Sequence, residues 1–301
     1  MDILISCNKD YVYPTMVLLI SIMENNKQQI NVHLLYHELE ESELSKLKEI
    51  CIKYGNEFYS YYIDPIEFQE CNILQEGRTL SLETYFRLLI GEILPDNIER
   101  ILYLDTDIIV NKDLTHFYNM DLKNNIIAAG IDFGLELRRK VRKKVYNNLS
   151  FKVKDKYFNA GVLLIDVNKW RMHCTWNKIK QIMENKEMNF LFHDQCILNY
   201  LLKGKVMYVN FNKYNCRPFY YLKSSMSRKI IEQACIIHYG VKPWSNEFYG
   251  LGLEIFNKYA EKIKGEKIII YKTKEEKNRI SGNLKIIIAW MLYFFHNIFL
   301  Y

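Results

Sequence analysis

Three short apolar segments open the chain: Ile3–Cys7 (ILISC), Val32–Tyr36 (VHLLY) and Phe58–Ile63 (FYSYYI). Each has the length and β-branched or aromatic content of a buried or half-buried strand. Between the first two, Met16, Leu19, Ile20 and Met23 recur at helical spacing, and Pro14 suits a first helical turn. Between the second and third, Leu44, Leu47, Cys51 and Tyr54 do the same, with Gly55 placed to close the helix. Strand, helix, strand, helix, strand predicts an α/β fold, a mostly parallel Rossmann-like sheet covered by helices on both faces. Such sheets bind ligands beyond the carboxyl ends of their strands. A helix over Leu82–Leu94 precedes the strand ILYLDTDIIV (Ile101–Val110), and further strands are expected at Ile126–Ile131, Ala160–Asp166 and Val206–Val209.

No repeat or linker interrupts this pattern before about residue 250, so one domain over 1–250 and a tail over 251–301 are expected. With 49% hydrophobic and 25% charged residues, a chain of 301 has ample core, which excludes disorder and collagen-like structure. Seven cysteines, none in CxxC spacing, argue against a disulfide framework or thiolate zinc site. Reduced, partly buried thiols in a reducing compartment are expected instead. The N-terminal apolar run is short and follows Asp2, unlike a signal peptide, so the body is expected in the cytoplasm. In the tail, Lys262–Lys285 holds eight basic residues against three Glu, and Ile286–Tyr301 is almost wholly apolar. Sixteen residues fall short of the ~20 that cross a bilayer. Peripheral contact with the inner face of the cell membrane is the expectation; a helix docked on the protein itself is the alternative.

Asp105 and Asp107 stand two apart in the Ile101–Val110 segment, where extended backbone would aim both carboxylates to one side. Two such groups repel unless a cation lies between them, and a divalent ion bridging to a diphosphate meets that need. A DxD is short enough to arise by chance among twelve Asp, so its place after LYL carries the reading. His238, in IIHYGVKPW, would complete a donor set that suits Mn²⁺ better than Mg²⁺; a hydrogen-bonded structural histidine is the alternative. Lys242, four residues on, can reach a phosphate as a point charge. FNAGVLLID (Phe158–Asp166) puts small residues at a strand mouth where a ligand approaches backbone closely. HDQCILN (His193–Asn199) heads an apolar helix, with N-capping by Asp194 as the plain alternative.

Taken in order, LSLETYFRLLIGEILPDNIERILYLDTDIIVNKDL, YFNAGVLLIDVNKWR, HDQCILN and HYGVKPW resemble glycosyltransferase family eight, the retaining, metal-dependent nucleotide-sugar enzymes of the GT-A fold. The resemblance runs from Met1 to about Trp244. It implies that Asp105, Asp107 and His238 hold Mn²⁺, or Mg²⁺, against the diphosphate of a UDP-hexose. Ser6, Asn8 and Tyr11 would grip the nucleotide, with Tyr11 stacked on uracil and Thr106 beside them in the donor site. Asn159, Ala160 and Gly161 would line the sugar pocket, and Lys242 would contact the departing diphosphate. Arg87, Asp194 and Gln195 would serve catalysis: Arg87 facing sugar and phosphates, Asp194 on sugar hydroxyls, Gln195 under the anomeric carbon.

Three positions depart from the family pattern. Cys196 follows the Gln where an acidic residue is common, which removes one carboxylate nucleophile and favours attack on the leaving-group face. The loop from His238 to Lys242 is two residues shorter than the usual form, which bears on Lys242 as a phosphate contact. Asn8 stands where many relatives have Asp. The basic run Arg138–Lys144 reads as a solvated helix face, or as a contact for anionic headgroups or a phosphorylated acceptor. No nucleic-acid motif accompanies the net charge of +6. The resemblance implies transfer of glucose or galactose to a glycan or glycolipid acceptor in bacterial cell-surface polysaccharide or lipopolysaccharide synthesis. A non-catalytic sugar-nucleotide binder or membrane scaffold, and a metal-dependent phosphohydrolase, are the alternatives.

Overall fold

The computed structural model describes residues 1–263 apart from 70, 72–80, 186, 222, 246, 247 and 249. A seven-stranded sheet forms the centre, in the order β3-β2-β1-β4-β7-β6-β8. Its strands are β1 (Asp2–Cys7), β2 (Asn31–Tyr36), β3 (Glu57–Tyr62), β4 (Arg100–Leu104), β6 (Ile127–Ile131), β7 (Phe158–Asp166) and β8 (Val206–Val209). All run parallel except β7, which is antiparallel to both β4 and β6. A separate ribbon pairs β5 (Ile108–Val110) antiparallel with β9 (Ile236–His238).

Alternation along the strands explains the layering. Ile3, Ile5, Leu102, Leu104, Val162 and Leu164 pack with helices α1 (Val12–Asn25) and α2 (Glu41–Lys53) on one face. Leu4, Ile101, Tyr103, Leu163 and Ile165 pack on the other, under the helices α4 (Val167–His173) and α5 (Trp176–Glu184). The basic run forms α3 (Arg139–Asn148), and α6 (His193–Leu201), α7 (Ser225–Gln233) and α8 (Leu253–Ala260) complete the longer helices. Capping was legible at α2, which closes through Gly55 in the left-handed region at φ 73°.

One expectation needs correction, and one alternative falls away. Ile101–Val110 is two strands in different sheets, with Asp105, Thr106 and Asp107 in the bend between them. The carboxylates therefore converge because the chain turns from the main sheet into the ribbon, not because extended backbone alternates. Asp194 does not cap its helix; Phe192 holds the cap position without a side-chain bond, and Asp194 pairs with Arg87.

Residues beyond 250 also enter the core. Leu253, Phe256 and Tyr259 of α8 are buried with α1, and Asn25 Nδ2 donates to Tyr259 Oη at 2.8 Å. The first turns of the expected tail are thus part of the domain; the rest of it, with Ile286–Tyr301, lies outside the described residues. Among the described residues no helix is long and apolar enough to cross a membrane. All seven cysteines are buried, and no disulfide joins any two of them.

Candidate active site

The topology brings one end of four strands together. β1, β4 and β6 leave the sheet at Asn8, Asp105 and Asp132, and the reversed β7 enters it at Phe158-Asn159-Ala160-Gly161. The chain order turns back between β1 and β4, the crevice position where open α/β sheets bind ligands. The ribbon then lays β9 beside this edge, setting His238 opposite Ile108.

One carboxylate oxygen each from Asp105 and Asp107 and one nitrogen of His238 lie within 4.8 Å of one another. His238 Nε2 is 3.3 Å from Asp107 Oδ1 and 3.9 Å from Asp105 Oδ2. Its Nδ1 is 2.9 Å from Asn215 Oδ1, an acceptor that takes the Nδ1 proton and leaves Nε2 turned toward the carboxylates. Asp107 Oδ2 accepts from Gly240 N at 2.9 Å. Burial pushes the Asp107 carboxyl upward, but His238, Arg217 and the Gly240 N–H outweigh it and hold it below its ordinary value. Gly161 makes room for the cluster: a Cβ there would stand 2.4 Å from His238 Cε1 and 2.5 Å from Asp105 Oδ2. Two oxygens and one imidazole nitrogen, oriented by a hydrogen-bonded neighbour and cleared by a glycine, fit a divalent ion such as Mn²⁺.

Arg87 is the anchor beneath this cluster. Its Nη2 is 3.0 Å from Asp105 Oδ1, its Nε 3.0 Å from Asp194 Oδ2, and its Nη1 donates to Ala160 O at 2.6 Å. The guanidinium also lies over the Tyr103 ring at 4.4 Å, and Tyr103 Oη donates to Asp105. Burial raises the Asp194 carboxyl to about 6, against the pull of Arg87. Arg87 is 4% exposed, so in this arrangement it positions the two carboxylates.

A chain of amides crosses the floor. Asn215 Nδ2 donates to Asn159 Oδ1 at 2.9 Å, and Asn159 Nδ2 donates to Gln195 Oε1 at 3.0 Å. Gln195 Oε1 also accepts from Ala160 N, and Gln195 Nε2 donates to Asp132 Oδ2 at 2.9 Å. Cys196 points away, its thiol 3.2 Å from Tyr157 Oη.

At the carboxyl end of β1, Ser6 Oγ is buried without a hydrogen-bond partner. Asn8 Oδ1 caps the turn Lys9–Tyr11, and its Nδ2 donates to Ser81. Tyr11 stands edge-on to Trp244, with Lys242 Nζ 5.0 Å over its ring. The site residues of the sequence reading thus lie on the elements that meet at these strand ends, Thr106 in the bend between the carboxylates. Asn215, Asp132, Arg217 and Tyr103 were not singled out there; the first three lie in no motif and become neighbours only through the topology, while Tyr103 stands in the LYL that precedes the DxD pair.

Sheet order, reversed β7 and the Asp-Asp-His cluster define an α/β protein of GT-A type with a candidate metal site at its strand ends. The chain belongs to the family described as Glycosyl transferase family 8, whose sequence model matches residues 2–247. It is 29% identical over 218 residues to a putative glycosyltransferase of Haemophilus influenzae (72% of this chain, 64% of that protein). It is 25% identical over 244 residues to the lipopolysaccharide 1,3-galactosyltransferase of Salmonella typhimurium (79% and 71%). Against the lipopolysaccharide 1,2-glucosyltransferase of Escherichia coli K12 the identity is 29% over 192 residues, 58% of this chain and 54% of that one. The chain therefore spans only about half to two thirds of some curated relatives. The crystal structure of the galactosyltransferase LgtC with donor and acceptor sugar analogs superposes at TM-score 0.72, with 25% identity, over 95% of this chain and all of that one.

Proposed function

We propose that this protein is a metal-dependent retaining hexosyltransferase. It takes glucose or galactose from a UDP-sugar and delivers it to a glycan or glycolipid acceptor of bacterial cell-surface polysaccharide or lipopolysaccharide synthesis. The observation that carries this is the convergence of Asp105, Asp107 and His238 in space that only Gly161 leaves open. The lipopolysaccharide glucosyl- and galactosyltransferases among the relatives support the choice of hexose and acceptor class.

When bound, Mn²⁺ supplies positive charge where the diphosphate departs. The chain's own groups do the rest. Ser6 offers an unused hydroxyl to the nucleotide, and Tyr11 a ring face for uracil. Asp194, held by Arg87, and the Asn159–Gly161 segment receive the sugar over Gln195. Cys196 places no carboxylate beneath the anomeric carbon, which supports attack from the leaving-group face. The reading also sets the enzyme in the cytoplasm, peripheral to the membrane, with exposed Arg139, Lys140, Lys143 and Lys144 available to anionic headgroups.

The test is UDP release from a panel of UDP-sugars without acceptor, with Mn²⁺ and then with EDTA. Release from one hexose donor, lost with EDTA, is expected. If no UDP-sugar is cleaved and none shifts the melting temperature, the reading fails.

A further inference from the structure

The cations around the metal cluster are not equivalent. Arg87 directs its nitrogens at Asp105, Asp194, Thr84 O and Ala160 O. Lys242 lies over Tyr11, on the nucleotide side. Arg217 is different. It follows Asn215 and Cys216, whose backbone bridges to Ile237 of β9, so it emerges one step past the His238 partner. Its guanidinium lies 4.9 Å over the Tyr220 ring and packs on Gly240, where a Cβ would stand 2.4 Å from Nη2. The N–H of that glycine holds Asp107. On its other side Nη1 reaches Asp132 Oδ1 at a long 3.5 Å, and Asp132 holds Gln195.

Arg217 therefore stands between the metal-ligand loop and the sugar floor. Its side chain is 16% exposed, and Nε is buried with no partner. A guanidinium has five N–H donors, and one long contact uses one of them. Unfilled donors on a buried cation are costly unless a ligand takes them.

We propose that Arg217 is a catalytic residue that contacts the leaving phosphate of the nucleoside diphosphate. This rests on the functional reading above. As the bond from anomeric carbon to phosphate oxygen breaks, its electron pair stays on the diphosphate, which gains one negative charge. The acceptor oxygen, or water, forms the new bond and passes its proton to the departing diphosphate, which releases it to bulk water. Arg217 meets the charge that develops, a task the short His238–Lys242 loop leaves open by holding Lys242 at Tyr11. An acidic group on the acceptor shares the same chemistry, and the experiment separates the two.

Arg217→Lys and Arg217→Ala are compared with the parent protein by UDP binding in Mn²⁺ and by UDP release from the active UDP-hexose without acceptor. UDP affinity is expected to fall about tenfold in both. Acceptor-free release is expected to slow about 100-fold in Arg217→Ala while KM stays within about threefold. Added guanidinium should restore part of the rate to Arg217→Ala and nothing to the parent. Unchanged UDP affinity and acceptor-free release, with loss only when a glycan acceptor is present, would assign Arg217 to the acceptor and overturn the proposal. A loss that follows a lowered melting temperature and resists guanidinium would overturn it as merely structural. Should the parent neither cleave nor bind any UDP-sugar, the functional reading fails separately; should it bind UDP without cleaving a donor, equal UDP affinity in parent and variants still decides against Arg217.

Discussion

Replacing Gly161 with Ala tests the site at its tightest point. The added methyl would stand 2.4 Å from His238 Cε1 and 2.5 Å from Asp105 Oδ2. Relaxed contact needs ~3.5 Å, so something must retreat by about 1 Å. Strand β7 cannot: it is paired with β4 and β6, and Gly161 O accepts from Asp105 N at 2.9 Å. Nor is His238 free, because Nδ1 is tied to Asn215 and its backbone pairs with Ile108. The Asp105 carboxylate must therefore turn away, at the expense of Arg87 and Tyr103.

Metal sites tolerate ligand shifts of about 0.2 Å, so a displacement near 1 Å removes a ligand. The Mn²⁺ concentration for half-maximal UDP release should rise by about 100-fold or more. Overpacking should cost about 1–3 kcal/mol, a drop of several degrees in Tm. Gly204→Ala is the control: its φ of 76° strains any side chain, but nothing lies within 4 Å of the added methyl. It should lose about 1 kcal/mol of stability and keep the parent's Mn²⁺ dependence. Were Gly161→Ala to show the parent's Mn²⁺ titration, the cluster would not be a metal site.

Three further substitutions probe separate parts of the site. Asp107→Asn should abolish Mn²⁺-dependent UDP release with little change in Tm, and activity equal to the parent's would contradict the metal assignment. Asn215→Leu removes the acceptor that fixes the His238 tautomer and should weaken Mn²⁺ affinity about 10–100-fold, read by titrating turnover. Asp194 supplies a pH test: burial raises its carboxyl from 3.8 to about 6, so the folded state holds this proton more tightly than the unfolded state. Its contribution is most favourable at low pH and is lost as pH rises through 6, by about 3 kcal/mol in all. Urea unfolding between about pH 4 and pH 7 should show that fall in the parent and a flatter profile in Asp194→Asn; parallel profiles would sink the argument.

The sheet was legible because its strands are short, apolar and spaced by helices, and the swap of faces between Leu4 and Ile5 follows from a period of two. The break after Leu104 was not. ILYL and IIV are equally apolar, and the bend between them is visible only once β5 is seen to pair with β9 across more than 120 residues. The plain alternative for Asp194 fell in a similar way, since a short polar residue at a helix head looks like a cap until Arg87 arrives from another element. Asn215, Asp132 and Arg217 carried no local signal at all. Each is an ordinary polar residue beside a strand end, and its importance comes from neighbours 23 to 85 positions away.

Those neighbours give the floor a direction. His238 needs an acceptor at Nδ1, which turns Asn215 so that its NH₂ faces Asn159. Asn159 Oδ1 takes that bond and one from Gly161 N, which leaves its own NH₂ for Gln195. Gln195 must then present its oxygen to Asn159 and Ala160 and its nitrogen to Asp132. Each amide is thus oriented by the one before it, from the metal ligand to the sugar floor. The consequence is chemical. Gln195 Oε1 already accepts two hydrogen bonds, so attack by that oxygen on an anomeric carbon would break the bonds that orient it. With Cys196 turned to Tyr157 and Asp194 held by Arg87, the floor would, under the proposed function, support a sugar better than attack one.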